Sequence, residues 1–130
     1  MNYDILLDEA TQNGLKVEEK PLKYNNGRIK GNNILIRTGL TIAEKIGVLA
    51  EEIGHFYTST GNILDQTKVI NLKQEYIARG WAYKRVIPPG VITDGFKQGH
   101  TELWSLAEYL GVTPEFLEEA IIYYKVKGLL

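Results

Sequence analysis

The chain has no cysteine. This excludes disulfide frameworks, zinc ribbons and thiol nucleophiles. No apolar run approaches the ~20 residues that cross a bilayer. The opening stretch, Met1 to Glu9, has neither a basic region nor a long apolar segment, which predicts no secretory signal and a cytoplasmic protein. Charge of one sign is also missing. Fifteen basic residues face sixteen acidic ones, a formal net charge of −1, which argues against general affinity for nucleic acid or anionic membrane. There is no internal repeat and no low-complexity tract. What remains is 130 residues with 44 % hydrophobic and 24 % charged content, the profile of one globular domain. Such a length buries roughly two thirds of the unfolded surface.

Residues 2–13 suit a short helix with Ile5, Leu6 and Ala10 on one face, ended by Asn13-Gly14. Residues 15–18 alternate like a strand, and Pro21 breaks the pattern. Asn25-Asn26-Gly27 reads as a turn. Arg28–Lys30 and Ile34–Arg37 read as two strands of a tight hairpin. A small antiparallel sheet is expected, with Ile34-Leu35-Ile36 as the candidate edge for an added strand.

The clearest element follows. Thr41 and Glu44 form a capping box ahead of Ile42, Ile46, Leu49, Ala50, Ile53 and Tyr57 at helical spacing, which predicts a helix over about 42–58. Residues 59–70 look like a polar loop. A second helix is expected over about 71–87, with Asn71 as a possible cap and Pro88-Pro89-Gly90 as its stop. Residues 88–100 read as loop. Two short helices then flank Gly111, the second beginning with Thr113 as N-cap and Pro114 in the first turn. Basic residues cluster over 66–90 and acidic ones over 101–130, which suggests distinct faces or two mutually attracting helices.

On a wheel of about 100° per residue, the apolar residues of the 42–58 helix fall in one arc, and Glu51 and His55 share another face. Glu52 lies between the two. Side chains four apart are neighbours, so a carboxylate and an imidazole there can hold one divalent ion. The residue after the first ligand then reaches the attacking water. In the next helix, Leu72, Glu75, Ala82 and Val86 share a side, placing Glu75 in or beside the apolar stripe. A buried carboxylate needs a partner. A metal, an arginine or an edge-of-core position would supply the answer, and Arg79 stands at i+4. The bland alternative throughout is a solvated acidic helix face.

Leu49-Ala50-Glu51-Glu52-Ile53-Gly54-His55-Phe56-Tyr57 resembles the Leu-Ala-His-Glu-Leu-Gly-His motif of the ImmA/IrrE family of zinc metallopeptidases. Gln74 to Tyr83, followed by Pro88, resembles that family's second motif: a ligand Glu, Ala three residues later, an aromatic-Ala pair and a closing Pro. The likeness extends over about residues 15–120. It implies an α+β fold in one domain (1–130), with a small antiparallel sheet, zincin-like metal-site helices in a motif core over about 15–90, and a helical C-terminal segment over about 100–130. It implies Glu51, His55 and Glu75 as metal ligands, Glu52 as general base, and zinc as the cofactor. The implied reaction is hydrolysis of a peptide bond by metal-activated water. The implied partner is a phage-type helix-turn-helix repressor, cleaved or otherwise inactivated.

Glu51 stands where the motif has its first His. A divalent ion with two Glu and one His forms a centre of net charge zero, against +1 with two His and one Glu. A less positive centre polarises water and carbonyl less. Weak peptidase activity, a preference for a harder ion such as manganese, or loss of catalysis would each follow. An inactive member would bind and sequester its repressor. Asp65, in the loop after the 42–58 helix, is an additional candidate oxygen ligand. Tyr57 and His100 are candidate substrate-orienting groups, with structural roles as the alternative. Trp81 and the Tyr123-Tyr124 pair suit packing.

A DNA-binding reading competes, because Ser105 to Pro114 resembles a helix-turn-helix turn. The following helix opens with Glu115, Glu118 and Glu119, which would meet phosphates with negative charge. Packing against the metal-site helices through Phe116, Leu117, Ala120, Ile121 and Tyr124 is the preferred role of this pair.

Overall fold

A computed structural model describes residues 1–58 and 72–130. The expectations for the loop 59–70, for Asn71 as a cap and for Asp65 as a ligand lie outside the described residues.

The first element is α1 (Tyr3–Gln12), started by Asn2, whose Oδ1 accepts from the Ile5 N–H at 2.9 Å. It buries Leu6 and Ala10, but Ile5 faces solvent. Gly14, at φ +75°, turns the chain out of the helix.

Three strands follow: β1 (Lys16–Lys20), β2 (Gly27–Lys30) and β3 (Asn33–Arg37). The fold class is α+β as expected, but the sheet is mixed rather than antiparallel. β2 and β3 form the hairpin around Gly31, at φ +59°. β1 skips β2 and pairs in parallel with β3, matching Val17 to Ile34 and Glu19 to Ile36, so the order is β1-β3-β2.

Composition explains the order. β3 is the most apolar strand, and its Ile34 and Ile36 are fully buried. β1 and β2 are rich in charge, which suits outer strands. Residues 21–26 carry the chain across the end of the sheet. Arg37 pins that crossing by donating to the carbonyls of Leu22 (2.8 Å) and Lys23 (2.7 Å). Ile34–Ile36 is therefore the internal strand. β2 is the outer strand on the side of the candidate site.

Helix α2 (Ile42–Thr58) runs as predicted. Its capping box is formed reciprocally, with Thr41 N–H donating to Glu44 at 2.9 Å and Glu44 N–H donating to Thr41 Oγ1 at 3.1 Å. Ile46, Leu49, Ala50 and Ile53 face the core, while Ile42 and Tyr57 lie toward the surface.

Helix α3 (Leu72–Val86) packs along α2. Its buried face is Ala78, Gly80, Ala82, Tyr83 and Val86, all small residues or late in the helix. Leu72 is exposed, so the expected stripe through Leu72 does not exist.

The segment expected as loop contains α4 (Pro89–Lys97). Pro89 ends one helix and opens the next, since a missing N–H costs nothing in a first turn. The Pro88-Pro89-Gly90 run reads as a stop, and the same residues serve as the start of this short helix. Gly95 packs closely on Leu106: a Cβ there would meet Leu106 Cδ1 at 2.6 Å.

Helices α5 (Leu103–Leu110) and α6 (Pro114–Val126) are joined through Gly111 at φ +75°. Thr113 Oγ1 accepts from Phe116 N–H at 3.1 Å. Leu117, Ala120 and Tyr124 are fully buried, with Phe116 and Ile121 packed beside the core. Tyr124 donates to the Ile87 carbonyl at 3.0 Å, and Tyr83 donates to Glu119 at 3.1 Å. Thus α6 packs against α3 chiefly through apolar and tyrosine contacts. Arg79 and Arg85 of α3 find their carboxylates on α3 itself, α2 and α1 instead of on the acidic C-terminal helices.

Candidate metal centre

Two helices and one strand build the site. α2 presents Glu51, Glu52 and His55 on adjacent positions of one side, and α3 presents Glu75 from its first turn. Their close approach depends on Gly54. A Cβ at that position would stand 2.5 Å from the Ala78 carbonyl oxygen and 3.3 Å from the Trp81 ring. The two backbones touch there, one residue before His55 and one turn after Glu75.

The far wall is β2 and its approach, Asn25 to Ile29. Together these residues enclose a cleft of about 630 Å³, shared with Val48 and Arg79. Gly27 lets the wall close: a Cβ there would collide with Val48 Cγ1 and touch Glu52 Cγ at 3.5 Å.

One ligating atom each from Glu51, His55 and Glu75 lies within 4.8 Å of the others. His55 Nε2 is 3.4 Å from Glu75 Oε1. That is long for a hydrogen bond, but it is close to the ~3.3–3.6 Å edge between donors of a tetrahedral ion with bonds of about 2.0–2.2 Å. The donor set is chemically apt, with one imidazole and two carboxylates suiting zinc or manganese. Glu51 is partly exposed, at 33 % of its side-chain surface.

Arg79 bridges the two outer carboxylates. Its Nε is 3.3 Å from Glu51 Oε1, and its Nη2 is 3.3 Å from Glu75 Oε2. The sequence pointed to the Glu75 contact through i,i+4 spacing. It carried no signal for the contact with Glu51, 28 positions away.

Burial governs the protonation of the cluster. It pushes Glu52 up to about 8, helped by the negative charges of Glu51 and Glu75. Glu51 rises to about 7 through burial, with Arg79 opposing and Glu75 adding to the shift. His55 moves down, chiefly through burial, so its ring is neutral at neutral pH and keeps a lone pair for coordination. A divalent cation would reverse the pressure on the carboxylates.

The four candidate residues Glu51, Glu52, His55 and Glu75 share one cleft. Tyr57 and His100 do not. The Tyr57 hydroxyl donates to Glu9 at 3.1 Å and accepts from Asn13 at 2.7 Å, tying α1 to α2. His100 pairs with Ser105 Oγ at 3.0 Å and stacks on Tyr109. Trp81 packs on Tyr57 at 5.0 Å between ring centres. Sequence reading took residues 25–27 only as a turn and missed them as part of the cleft.

A carboxylate and an imidazole one helical turn apart, completed by a carboxylate from the next helix, form the layout of a helix-borne divalent-metal site. The model of a peptidase family described as the IrrE N-terminal-like domain matches residues 10–121. The chain belongs to that family, and the match spans both motif helices, the sheet and most of α6. No curated protein matches the chain significantly. Among the described residues, no helix is long and apolar enough to cross a membrane.

Proposed function

We propose that this chain is a metal-dependent endopeptidase acting on a protein, with Glu51, His55 and Glu75 as ligands and Glu52 as general base. The observation that carries the proposal is the convergence of three donor atoms within 4.8 Å, beside a buried carboxylate, in an open cleft.

A bound zinc or manganese ion would supply a Lewis acid for the scissile carbonyl and the attacking water. The protein's own groups do the rest. His55 offers a neutral ring nitrogen. Glu52, held in the cleft floor beside Gly27, takes the water's proton and returns it to the leaving amine nitrogen. An extended substrate lies between α2 and the wall formed by residues 25–29. The resemblance in motifs supports a phage-type helix-turn-helix repressor as the substrate and the cytoplasm as the place of action. One domain over residues 1–130 is the corresponding organisation.

A second reading, sequestration of the repressor without cleavage, is favoured by one observation. Glu51 occupies a ligand position with an ion pair to Arg79. Elemental analysis of untagged parent and His55→Ala proteins tests the site. About one equivalent of zinc or manganese in the parent, absent in the variant, is expected. Equal metal in both would overturn the ligand set. Incubation of loaded protein with a repressor then separates the readings: fragments mean cleavage, an intact stoichiometric complex means sequestration.

A further inference from the structure

Arg79 is a charged side chain, half exposed, at the mouth of a cleft that already holds three carboxylates. Its guanidinium divides the oxygens of its partners. Glu75 turns Oε2 to Arg79 and leaves Oε1 facing His55. Glu51 turns Oε1 to Arg79, which leaves Oε2 as its second oxygen for a ligand. We infer that Arg79 is a positioning residue for the metal centre: its planar fork holds Glu51 and Glu75 with one oxygen each turned to the ion, and its charge offsets the anion that Glu51 introduces in place of a neutral ligand. The inference rests on the metal-site reading above.

The physical argument is one of opposing signs. A cation beside a metal site repels the metal, so charge alone predicts tighter binding once Arg79 is removed. Preorganisation predicts the reverse. Without Arg79, Glu51 and Glu75 repel each other and Glu52, and both are exposed enough to swing into water. Partners that orient ligands typically contribute 10–100-fold to metal affinity. The screened repulsion at a half-exposed guanidinium is the smaller effect here, because solvent reaches it directly. Lysine cannot replace the fork, since a point charge on a flexible stem reaches one carboxylate at a time. With the charge of Arg79 counted, the ion, two Glu, one His and one Arg total +1. That equals the total for two His and one Glu around the same ion.

The test is zinc affinity by chelator competition, on untagged parent, Arg79→Gln, Arg79→Lys, Glu51→His and the Glu51→His/Arg79→Gln double variant. Thermal melting of the metal-free proteins serves as the folding control. Arg79→Gln is expected to bind zinc 10–100-fold more weakly than the parent, and Arg79→Lys to recover less than threefold of that loss. In the Glu51→His background one of the two partners is gone, so Arg79→Gln is expected to cost less than threefold. Unchanged or tighter zinc binding by Arg79→Gln overturns the inference and marks Arg79 as a competing cation. Full recovery by lysine, or equal losses in both backgrounds, overturns it too. Absence of zinc binding in the parent itself sinks the metal-site reading and this inference with it.

Discussion

Gly54→Ala sets two effects of opposite sign against each other. Alanine is the better helix former by about 0.8–1.0 kcal/mol, so an exposed glycine in mid-helix would be improved by the change. Gly54 is fully inside the α2–α3 contact, however. The added Cβ would lie 2.5 Å from the Ala78 carbonyl oxygen and 3.2 Å from its carbon, where ordinary contact begins at 3.4 Å. Relief requires the helices to separate by about 0.9 Å, because the obstacle is backbone and has no flexible end to yield. Overpacking of this kind costs about 1–3 kcal/mol. A rigid backbone obstacle belongs at the upper end, so the net loss is about 1–2 kcal/mol. For a chain of this length that lowers Tm by about 4–7 °C. The same separation moves His55 from Glu75, now 3.4 Å apart, and zinc affinity should fall at least tenfold. Differential scanning calorimetry of metal-free protein and chelator competition measure the two effects. A Tm raised by about 4 °C, with zinc affinity unchanged, is what propensity alone demands, and it would refute the close-packing argument.

Two other perturbations follow from the same geometry. Glu52→Gln should retain metal and abolish hydrolysis, and it should also flatten the pH dependence of stability in the metal-free protein. With its acidity shifted up to about 8 in the fold, Glu52 costs nothing below about pH 4.5, destabilises progressively as pH rises through 8, and levels off above, for a total of about 3–5 kcal/mol. Urea titrations at pH 5, 6.5 and 8 should show that slope in the parent, and parallel profiles in parent and variant would contradict it. Tyr124→Phe leaves the fully buried Ile87 carbonyl without its 3.0 Å donor and should cost about 1–2 kcal/mol in the same urea assay, with zinc affinity unaltered.

The parts of this fold that were legible in the sequence are those determined by neighbours in the chain. The capping box at Thr41 and Glu44, the Gly31 hairpin, the Thr113 cap and the Glu51–His55 pair all follow from spacing of a few residues. What escaped depends on distant partners. The pairing of β1 with β3 is decided by which strand is apolar enough to lie in the middle, and Arg37 secures it from the far end of the sheet. Residues 25–29 enter the cleft only because β2 is the outer strand on that side. α4 was obscured because the Pro88-Pro89-Gly90 run that stops α3 is also the start of the next helix, and only the packed helix shows Gly95 set against Leu106. In the site, Arg79 was visible as the i+4 partner of Glu75, yet its reach to Glu51 appears only when the two helices are packed.

Helix α3 also acts as a ruler. Glu75, Arg79 and Tyr83 recur every four residues, so they form a slowly turning row that meets the metal donors, then the Glu51 carboxylate, then α6 through Glu119. Four residues exceed one turn by only about 40°, whereas one residue turns the helix by about 100°. Many side chains along α3 could therefore be exchanged while the row keeps its aim. A single residue inserted or deleted between Glu75 and Arg79 would swing Glu75 out of the cleft and leave the downstream half of the helix seated on its core. The helix's length between these points is more tightly constrained than its composition.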